Sequence, residues 1–196
     1  VAESTTLEVV NGCNSLYFDG VDDFVLIGDE TSISALSEVS FGAWIYLESH
    51  SGWQSIVGKY DNDSLGEGEY LLQFDSSVIR VVYQTVTGSA YREINHSLAT
   101  QRWIHLATSY DGVNELGFQL YIDGQQQALG SPSSSISGAM VDSDEALYFG
   151  ARQDGGTQHF NGNISNVALY DRALNGTEIE TMMFSPASVS NLIGEW

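Results

Sequence analysis

Short apolar runs separated by turn residues recur along most of the chain. Apolar and polar positions alternate in several runs, so that Tyr70, Leu72 and Phe74 share one face of a predicted strand. Asp-Gly pairs, which favour hairpin and loop turns, interrupt the runs. This pattern predicts two packed antiparallel sheets. The predicted strands cover residues 16–18, 24–27, 41–47, 55–59, 70–74, 78–83, 103–110, 118–122, 147–150 and 164–170.

The predicted strand at 40–47 carries large side chains on both faces. Phe41 and Ile45 lie on one face, whereas Trp44 and Tyr46 lie on the other. We expect such a strand in the centre of a sheet. Its second face is then either covered by another layer or part of an aromatic concavity.

One helix is predicted near the end of the chain, at 175–183. Asn175 and Glu178 have the spacing of a capping box, and Ile179 and Met182 follow at helical spacing. Pro186 ends the helix, because proline lacks the backbone N–H that a helix interior requires.

Composition narrows the function. The 196 residues, 42% of them hydrophobic, suffice for one core, so we predict a single domain over 1–196. The 26 acidic residues face only 6 basic ones, and the net charge of -20 excludes nucleic acid as a partner. No apolar stretch approaches the roughly 20 residues that span a bilayer, so no membrane insertion is expected. Such a charge fits a saline medium or bound divalent cations, or a solvated acidic surface without metal.

Five segments, in this order, resemble the laminin G-like/pentraxin branch of the concanavalin A-like jelly-roll superfamily. The resemblance implies an all-β, two-sheet antiparallel jelly-roll sandwich with one short C-terminal helix. It also implies an extracellular protein, secreted or at the cell surface, in which this chain is part of a larger multidomain protein. The closing residues LIGEW resemble a closing strand or the start of a following module. The five segments are LYFDGVDDFVLI (16–27), SFGAWIYL (40–47), RWIHLATSYDG (102–112), LYIDGQ (120–125) and FNGNISNVALYDRALNGTEIE (160–180).

Calcium is the cofactor that the pentraxin resemblance implies. Asp61 and Asn62 match a pair of pentraxin calcium ligands, and calcium prefers carboxylate and amide oxygens of this kind. Pentraxins supply further calcium ligands from a Glu-Gln-Asp run. This chain has Arg152 in place of that glutamate, so the resemblance implies one calcium site that is weaker than the pentraxin site. The alternative is a solvated acidic loop. The other predicted ligands of this rim site are Gln153, Asp154 and Gln158.

A second metal site is predicted in the first hairpin, at Asp19, Asp22 and Asp23. Several concanavalin A-like families hold a structural cation there, between this hairpin and the last strand. The alternative is a tight hairpin whose aspartates accept hydrogen bonds from their own backbone.

Sugar recognition requires ring faces that stack on pyranoses and short polar groups that hold the hydroxyls. The side chains predicted to touch a ligand are Trp53, Tyr60, Tyr83, Tyr91, Arg152 and His159. Trp44 and Trp103, by contrast, are expected in the core.

These observations favour a non-catalytic module that binds a carbohydrate or glycoconjugate, within an adhesin or a polysaccharide-degrading protein. The E-x-D-x-x-E string of laminarinase-type hydrolases, which share the fold, is absent from the sequence. A structural or protein–protein adhesion module with a protein partner is the alternative. A glycoside hydrolase of the same fold is the third.

Overall fold

The computed structural model describes residues 7–10, 13–61, 68–152 and 157–196. Within these ranges the chain forms short strands and one α-helix, α1 (Gly176–Met182). The strands are β1 (Leu7–Val10), β2 (Cys13–Asp19), β3 (Val25–Gly28), β4 (Val39–Leu47), β5 (Gln54–Tyr60), β6 (Gly68–Phe74), β7 (Val78–Thr85), β8 (Gly88–Asn95), β9 (Trp103–Tyr110), β10 (Gln119–Ile122), β11 (Gln125–Gln126), β12 (Leu147–Phe149), β13 (Asn161–Tyr170) and β14 (Leu192–Glu195).

The strands form two antiparallel sheets, which confirms the predicted jelly-roll sandwich. An eight-stranded back sheet has the order β1-β2-β13-β4-β9-β10-β11, with β14 paired to β13. A six-stranded front sheet has the order β3-β12-β5-β6-β7-β8. We call the outer surfaces of these sheets the back face and the front face.

The core lies between the two sheets and follows the alternation of the sequence. Tyr70, Leu72 and Phe74 point inward and are fully buried, as are Phe41 and Ile45 of β4. Strand β8 was not predicted, because polar and charged residues separate its inward-facing positions. The sequence Gly-Ser-Ala-Tyr-Arg-Glu-Ile-Asn lacks an apolar run.

Helix α1 packs on the back face and confirms the predicted helix. The side chain of Asn175 accepts a hydrogen bond from the N–H of Glu178, whose carboxylate accepts one from the N–H of Asn175. Ile179 and Met182 are buried beneath the helix against the back sheet. The helix has seven residues, and no helix in the described ranges is long and apolar enough to cross a bilayer.

The outer edge of the front sheet, at β8, is paired with a loop. The N–H of Gly130 donates to the carbonyl of Glu93 at 2.8 Å, and the N–H of Ser133 donates to the carbonyl of Tyr91 at 3.0 Å. The hydroxyl of Ser133 accepts from the N–H of Tyr91 at 2.9 Å. Residues 130–133 thus occupy hydrogen-bonding groups that an edge strand otherwise leaves open.

A buried lysine links three segments at one end of the sandwich. The Nζ of Lys59, fully buried, lies 3.0 Å from a carboxylate oxygen of buried Glu69 and 3.0 Å from one of Asp29. It also donates to the carbonyls of Ser143 and Glu145. An isolated ammonium is costly to bury, and these acceptors offset that cost.

Candidate functional site

The front face carries a row of polar side chains across four strands. Ser55, Gln73, Arg80 and Glu93 are paired in register from β5 to β8. Their chain neighbours, among them Phe74, Ile79 and Val81, point into the core, so the row points outward. Gln73 is 2% exposed, and its Oε1 has no hydrogen-bond partner in the described residues.

Arg80 is held between two aromatic rings in this row. Its guanidinium carbon lies 4.3 Å from the ring centroid of Trp53 and 4.4 Å from that of Tyr91. The guanidinium also donates to the carboxylate of Glu93. A guanidinium is attracted to the face of an aromatic ring. The ion pair with Glu93 holds the guanidinium of Arg80 from a third direction. We call Trp53, Arg80, Tyr91 and Glu93 the arginine stack.

The arginine stack borders an open groove of about 510 Å³. Tyr91 and Glu93 line it together with Asn95 and, from the loop that covers the sheet edge, Gly130 and Ser131. Tyr91 is 39% exposed, so part of its ring is available to a ligand. The groove thus combines an ordered aromatic ring with a carboxylate, an amide and a hydroxyl, which are the groups that recognise sugars.

A second cluster on the front face contains Tyr60, Asp61 and Arg152. The guanidinium of Arg152 lies 5.7 Å from the ring centroid of Tyr60, and its Nε has no hydrogen-bond partner in the described residues. Burial lowers the pKa of Arg152, the negative charge of Asp61 opposes this shift, and the positive charge of Arg80 adds to it. Arg152 therefore lies within electrostatic reach of both Asp61 and the arginine stack.

The structure does not bring Gln158 to Asp61. The N–H of Ser55 donates to the carbonyl of Gln158 at 2.8 Å, and the Ser55 hydroxyl donates to its side chain at 3.3 Å. Strands rise about 3.3 Å per residue, so Ser55 and Asp61 are separated by roughly 15–20 Å along β5. Gln158 therefore lies near Ser55 and the polar row. Asn62, Gln153 and Asp154, the other predicted ligands of the rim, lie outside the described residues.

Two other predicted ligand contacts have different environments. His159 is half-buried, and its Nδ1 lacks a hydrogen-bond partner in the described part of the chain. Tyr83 was expected at the surface, but it is fully buried in the core. Its ring is stacked on Tyr110 at 5.2 Å, and its hydroxyl bonds to Thr108 at 2.8 Å. Tyr83 follows Ile79 and Val81 on the inward face of β7, so it does not contact a ligand.

The predicted metal ligands of the first hairpin do lie together. Asp19, Asp22 and Asp23 each offer one carboxylate oxygen, and these oxygens are all within 4.8 Å of one another. Asp19 Oδ1 accepts hydrogen bonds from the N–H groups of Val21 and Asp22, and Asp23 Oδ2 accepts one from the N–H of Asp19. Both readings of this hairpin therefore have geometric support, because a carboxylate that accepts backbone bonds keeps further lone pairs for a cation.

The chain matches a known protein family. The Laminin_G_3 model, described as concanavalin A-like lectin/glucanases superfamily, matches residues 19–180. The chain belongs to this superfamily. The match confirms the laminin G-like resemblance that the five sequence segments indicated. No curated protein sequence matches the chain.

Solved structures share this superfamily fold at low identity. The binding domain of botulinum neurotoxin serotype G has a TM-score of 0.67 and 13% identity, over 96% of this chain and 46% of that one. A Bacteroides ovatus protein whose proposed role is carbohydrate binding has a TM-score of 0.66 and 18% identity, over 88% and 48%. The SAP-like pentraxin of Limulus polyphemus has a TM-score of 0.58 and 15% identity, over 89% and 83%. The chain thus spans about half the length of the first two.

The aromatic rings on the front face of this superfamily member were predicted from the sequence, but the polar side chains beside them were not. Arg80 and Gln73 lie within runs that were interpreted as apolar strands, and only the register of β5 to β8 places them beside Ser55 and Glu93. The available signal was the alternation in 78–83, where Arg80 stands between core residues Ile79 and Val81.

Proposed function

We propose that this domain is a non-catalytic carbohydrate-binding module of an extracellular protein, and that the front face binds the sugar. The observation that carries the proposal is the arginine stack beside the groove. Stacking on Arg80 and the Arg80–Glu93 ion pair hold the Tyr91 ring in place before a ligand arrives. A ring ordered in advance loses less conformational entropy on binding, which favours affinity.

The groove supplies the polar half of sugar recognition. The carboxylate of Glu93 accepts hydrogen bonds from sugar hydroxyls, whereas the amide of Asn95 and the hydroxyl of Ser131 both accept and donate. The ring of Tyr91 offers the apolar surface on which a pyranose face packs. The neighbouring B. ovatus protein, with its proposed carbohydrate-binding role, agrees with this assignment at the level of the fold.

We further propose that calcium assists the module. The candidate ligands are Asp61 with the predicted Asn62, Gln153 and Asp154, and the separate Asp19, Asp22 and Asp23 hairpin. In a chain with a net charge of -20, a divalent cation relieves local repulsion where carboxylates meet. The guanidinium of Arg152 near Asp61 offsets part of the negative charge at the first candidate. The hairpin oxygens of the second candidate lie within 4.8 Å of one another.

The test is a glycan array probed with the full chain, with calcium and with chelator, followed by titration of the best ligand. Tyr91→Ala should weaken that ligand about ten-fold, because a lost aromatic contact is worth on the order of 1 kcal/mol. Tyr17→Ala is the matched control: Tyr17 is 41% exposed against 39% for Tyr91, but it lies on β2 of the back sheet.

Three outcomes would overturn parts of the proposal. No glycan bound under either condition favours the adhesion module with a protein partner. Hydrolysis of β-glucans at a useful rate identifies a glycoside hydrolase, since the superfamily includes glucanases as well as lectins. Equal losses for Tyr91→Ala and Tyr17→Ala would show that the sugar is not bound at the front-face groove.

A further inference from the structure

The back face has its own aromatic pocket, which none of the predicted ligand residues touches. It measures about 390 Å³ and is open to solvent at one end of helix α1. Trp44 and Trp103, expected in the core, are half-buried here instead. The lining residues are Trp44, Trp103, Ser165, Asn166, Met183 and Phe184. We propose that this back-face pocket is a second carbohydrate site and that it takes an uncharged pyranose.

The aromatic rings of the pocket are held in place by the fold. The indole Nε1 of Trp44 donates to the carbonyl of Met183 at 2.8 Å, which joins β4 to the residue after α1. The ring of Phe184 lies 6.0 Å from Trp44, and that of Trp103 lies 5.7 Å from Tyr46. Phe184 is nevertheless 76% exposed. A single exposed ring is common, but Phe184 adjoins Trp44 in a contiguous apolar surface with polar residues at its edge, and surfaces of this kind mark binding sites.

A bulge in β13 brings polar groups to the edge of these rings. The register between β13 and β4 shifts between Ser165 and Ala168. Within the bulge Asn166 has a φ of +49°, in the left-handed region that costs a non-glycine residue free energy. Bulges re-aim side chains, and this one places Ser165 and Asn166 in the pocket lining. Asn166 is exposed, and its amide beside the apolar rings is the group that holds sugar hydroxyls while a ring face packs. The Ser165 hydroxyl is buried and donates to the carbonyl of Asn14 at 2.6 Å, so it keeps only lone pairs for a ligand.

The absence of charge in this lining selects the class of ligand. None of the six lining residues is ionisable, although the chain carries 26 acidic and 6 basic residues. His105 lies beside Trp44 on the neighbouring strand β9, at 5.4 Å between ring centroids, and burial lowers the pKa of His105 to about 4, so it is neutral at pH 7. A charged sugar would enter without a counter-charge in the lining, whereas a neutral pyranose leaves no charge unpaired. An uncharged lining also suits an apolar protein surface, so the experiment below distinguishes a neutral sugar from a protein occupant.

The experiment titrates the full chain with a panel of neutral oligosaccharides, and with uronic-acid oligosaccharides for comparison, by calorimetry. Phe184→Ala removes an exposed ring, and Asn166→Gly removes the amide while accepting the positive φ. Each should weaken binding of the neutral ligand about ten-fold without lowering the melting temperature. Tyr91→Ala should leave this binding event intact, so failure of the back-face pocket is distinguishable from failure of the front face.

A second readout uses tryptophan emission. In Trp53→Phe/Trp196→Phe the remaining tryptophans are Trp44 and Trp103, both in the pocket lining. The neutral ligand should shift the emission of these two tryptophans, and the Kd from this titration should equal the Kd from calorimetry. The proposal is overturned if no neutral oligosaccharide binds outside the Tyr91 groove, or if uronic-acid ligands bind the pocket at least as well. It is also overturned if the parent self-associates by light scattering and Phe184→Ala makes it monomeric, because the occupant is then a second copy of the chain.

Discussion

Removing the buried ammonium of Lys59 tests how this acidic sandwich tolerates charge in its interior. In Lys59→Met the side chain keeps a similar length but leaves Glu69, which is fully buried, without its cation. The carbonyls of Ser143 and Glu145 lose their donor as well. We expect the free energy of unfolding to fall by about 3–5 kcal/mol, the usual cost of breaking a buried pair from one side. For a domain of this size that lowers the melting temperature by roughly 6–20 °C.

The stability of the Lys59→Met variant should depend on pH through the carboxyl group of Glu69. Burial raises the pKa of Glu69 above its usual value even beside Lys59, whose charge and hydrogen bond lower it. Without Lys59 those two opposing effects vanish, so the pKa of Glu69 rises further. A carboxyl group whose pKa is higher in the folded than in the unfolded state binds more protons when folded. The variant should therefore regain stability as the pH falls toward the unfolded pKa of Glu69, near 4.5, relative to the parent protein.

Urea denaturation followed by circular dichroism measures both effects. Arg102→Met is the matched control, because the Arg102–Asp123 pair is 3.5 Å long and its side chains are 52% and 38% exposed. It should cost less than about 1 kcal/mol. Lys59→Met/Glu69→Gln should recover part of the loss, since the unpaired charge is gone. Lys59→Met costing no more than Arg102→Met would contradict this prediction, as would a double variant that is less stable than Lys59→Met alone.

Two further predictions concern metal and protons. Calcium at about 100-fold over its Kd should add roughly 2.7 kcal/mol of stability and raise the melting temperature by about 5–10 °C, reversibly with chelator. Asp61→Ala or Asp154→Ala should remove most of this gain in stability. An equal gain in both variants would place the ion at the 19–23 hairpin, and no gain in the parent protein at millimolar calcium would contradict calcium binding. His105 is 1% exposed with its pKa lowered to about 4 by burial, so the unfolded state takes up its proton first as pH falls below 6.5. About 3 kcal/mol should be lost between pH 7 and pH 4; urea titrations of His105→Gln should show a correspondingly flatter pH profile, and identical profiles would contradict the assignment.

The fold was accessible from the sequence because its core strands alternate clearly. Tyr70, Leu72 and Phe74 reveal an inward face by themselves, and the capping box of Asn175 and Glu178 marks the helix start. Strand β8 escaped because its inward positions include Arg92, whose guanidinium bonds to loop carbonyls rather than facing solvent. Local patterns report burial well only where the buried side chains are apolar.

The candidate sites were harder to predict, because they depend on pairing between distant strands. Trp53 and Tyr91 were recognisable as aromatic side chains that contact a ligand, but the cation between them, Arg80, comes from β7. Trp44 was expected in the core, with an aromatic concavity as the alternative for its face of β4, and no local signal decides how much of that face α1 covers. Only the register and the bulge in β13 show that Ser165 and Asn166 accompany it.

The loop at 130–133 bears on how copies of this domain behave when crowded together. Strand β8 would otherwise present the N–H of Tyr91 and the carbonyls of Tyr91 and Glu93 to a neighbouring chain. Open edges of this kind recruit strands from other molecules and seed fibrils. Because Gly130 and Ser133 already satisfy these groups, a second copy gains no hydrogen bonds there by extending the front sheet. The loop that borders the groove therefore also protects the domain against aggregation, and substitutions that detach it should first show up as turbidity in concentrated solutions.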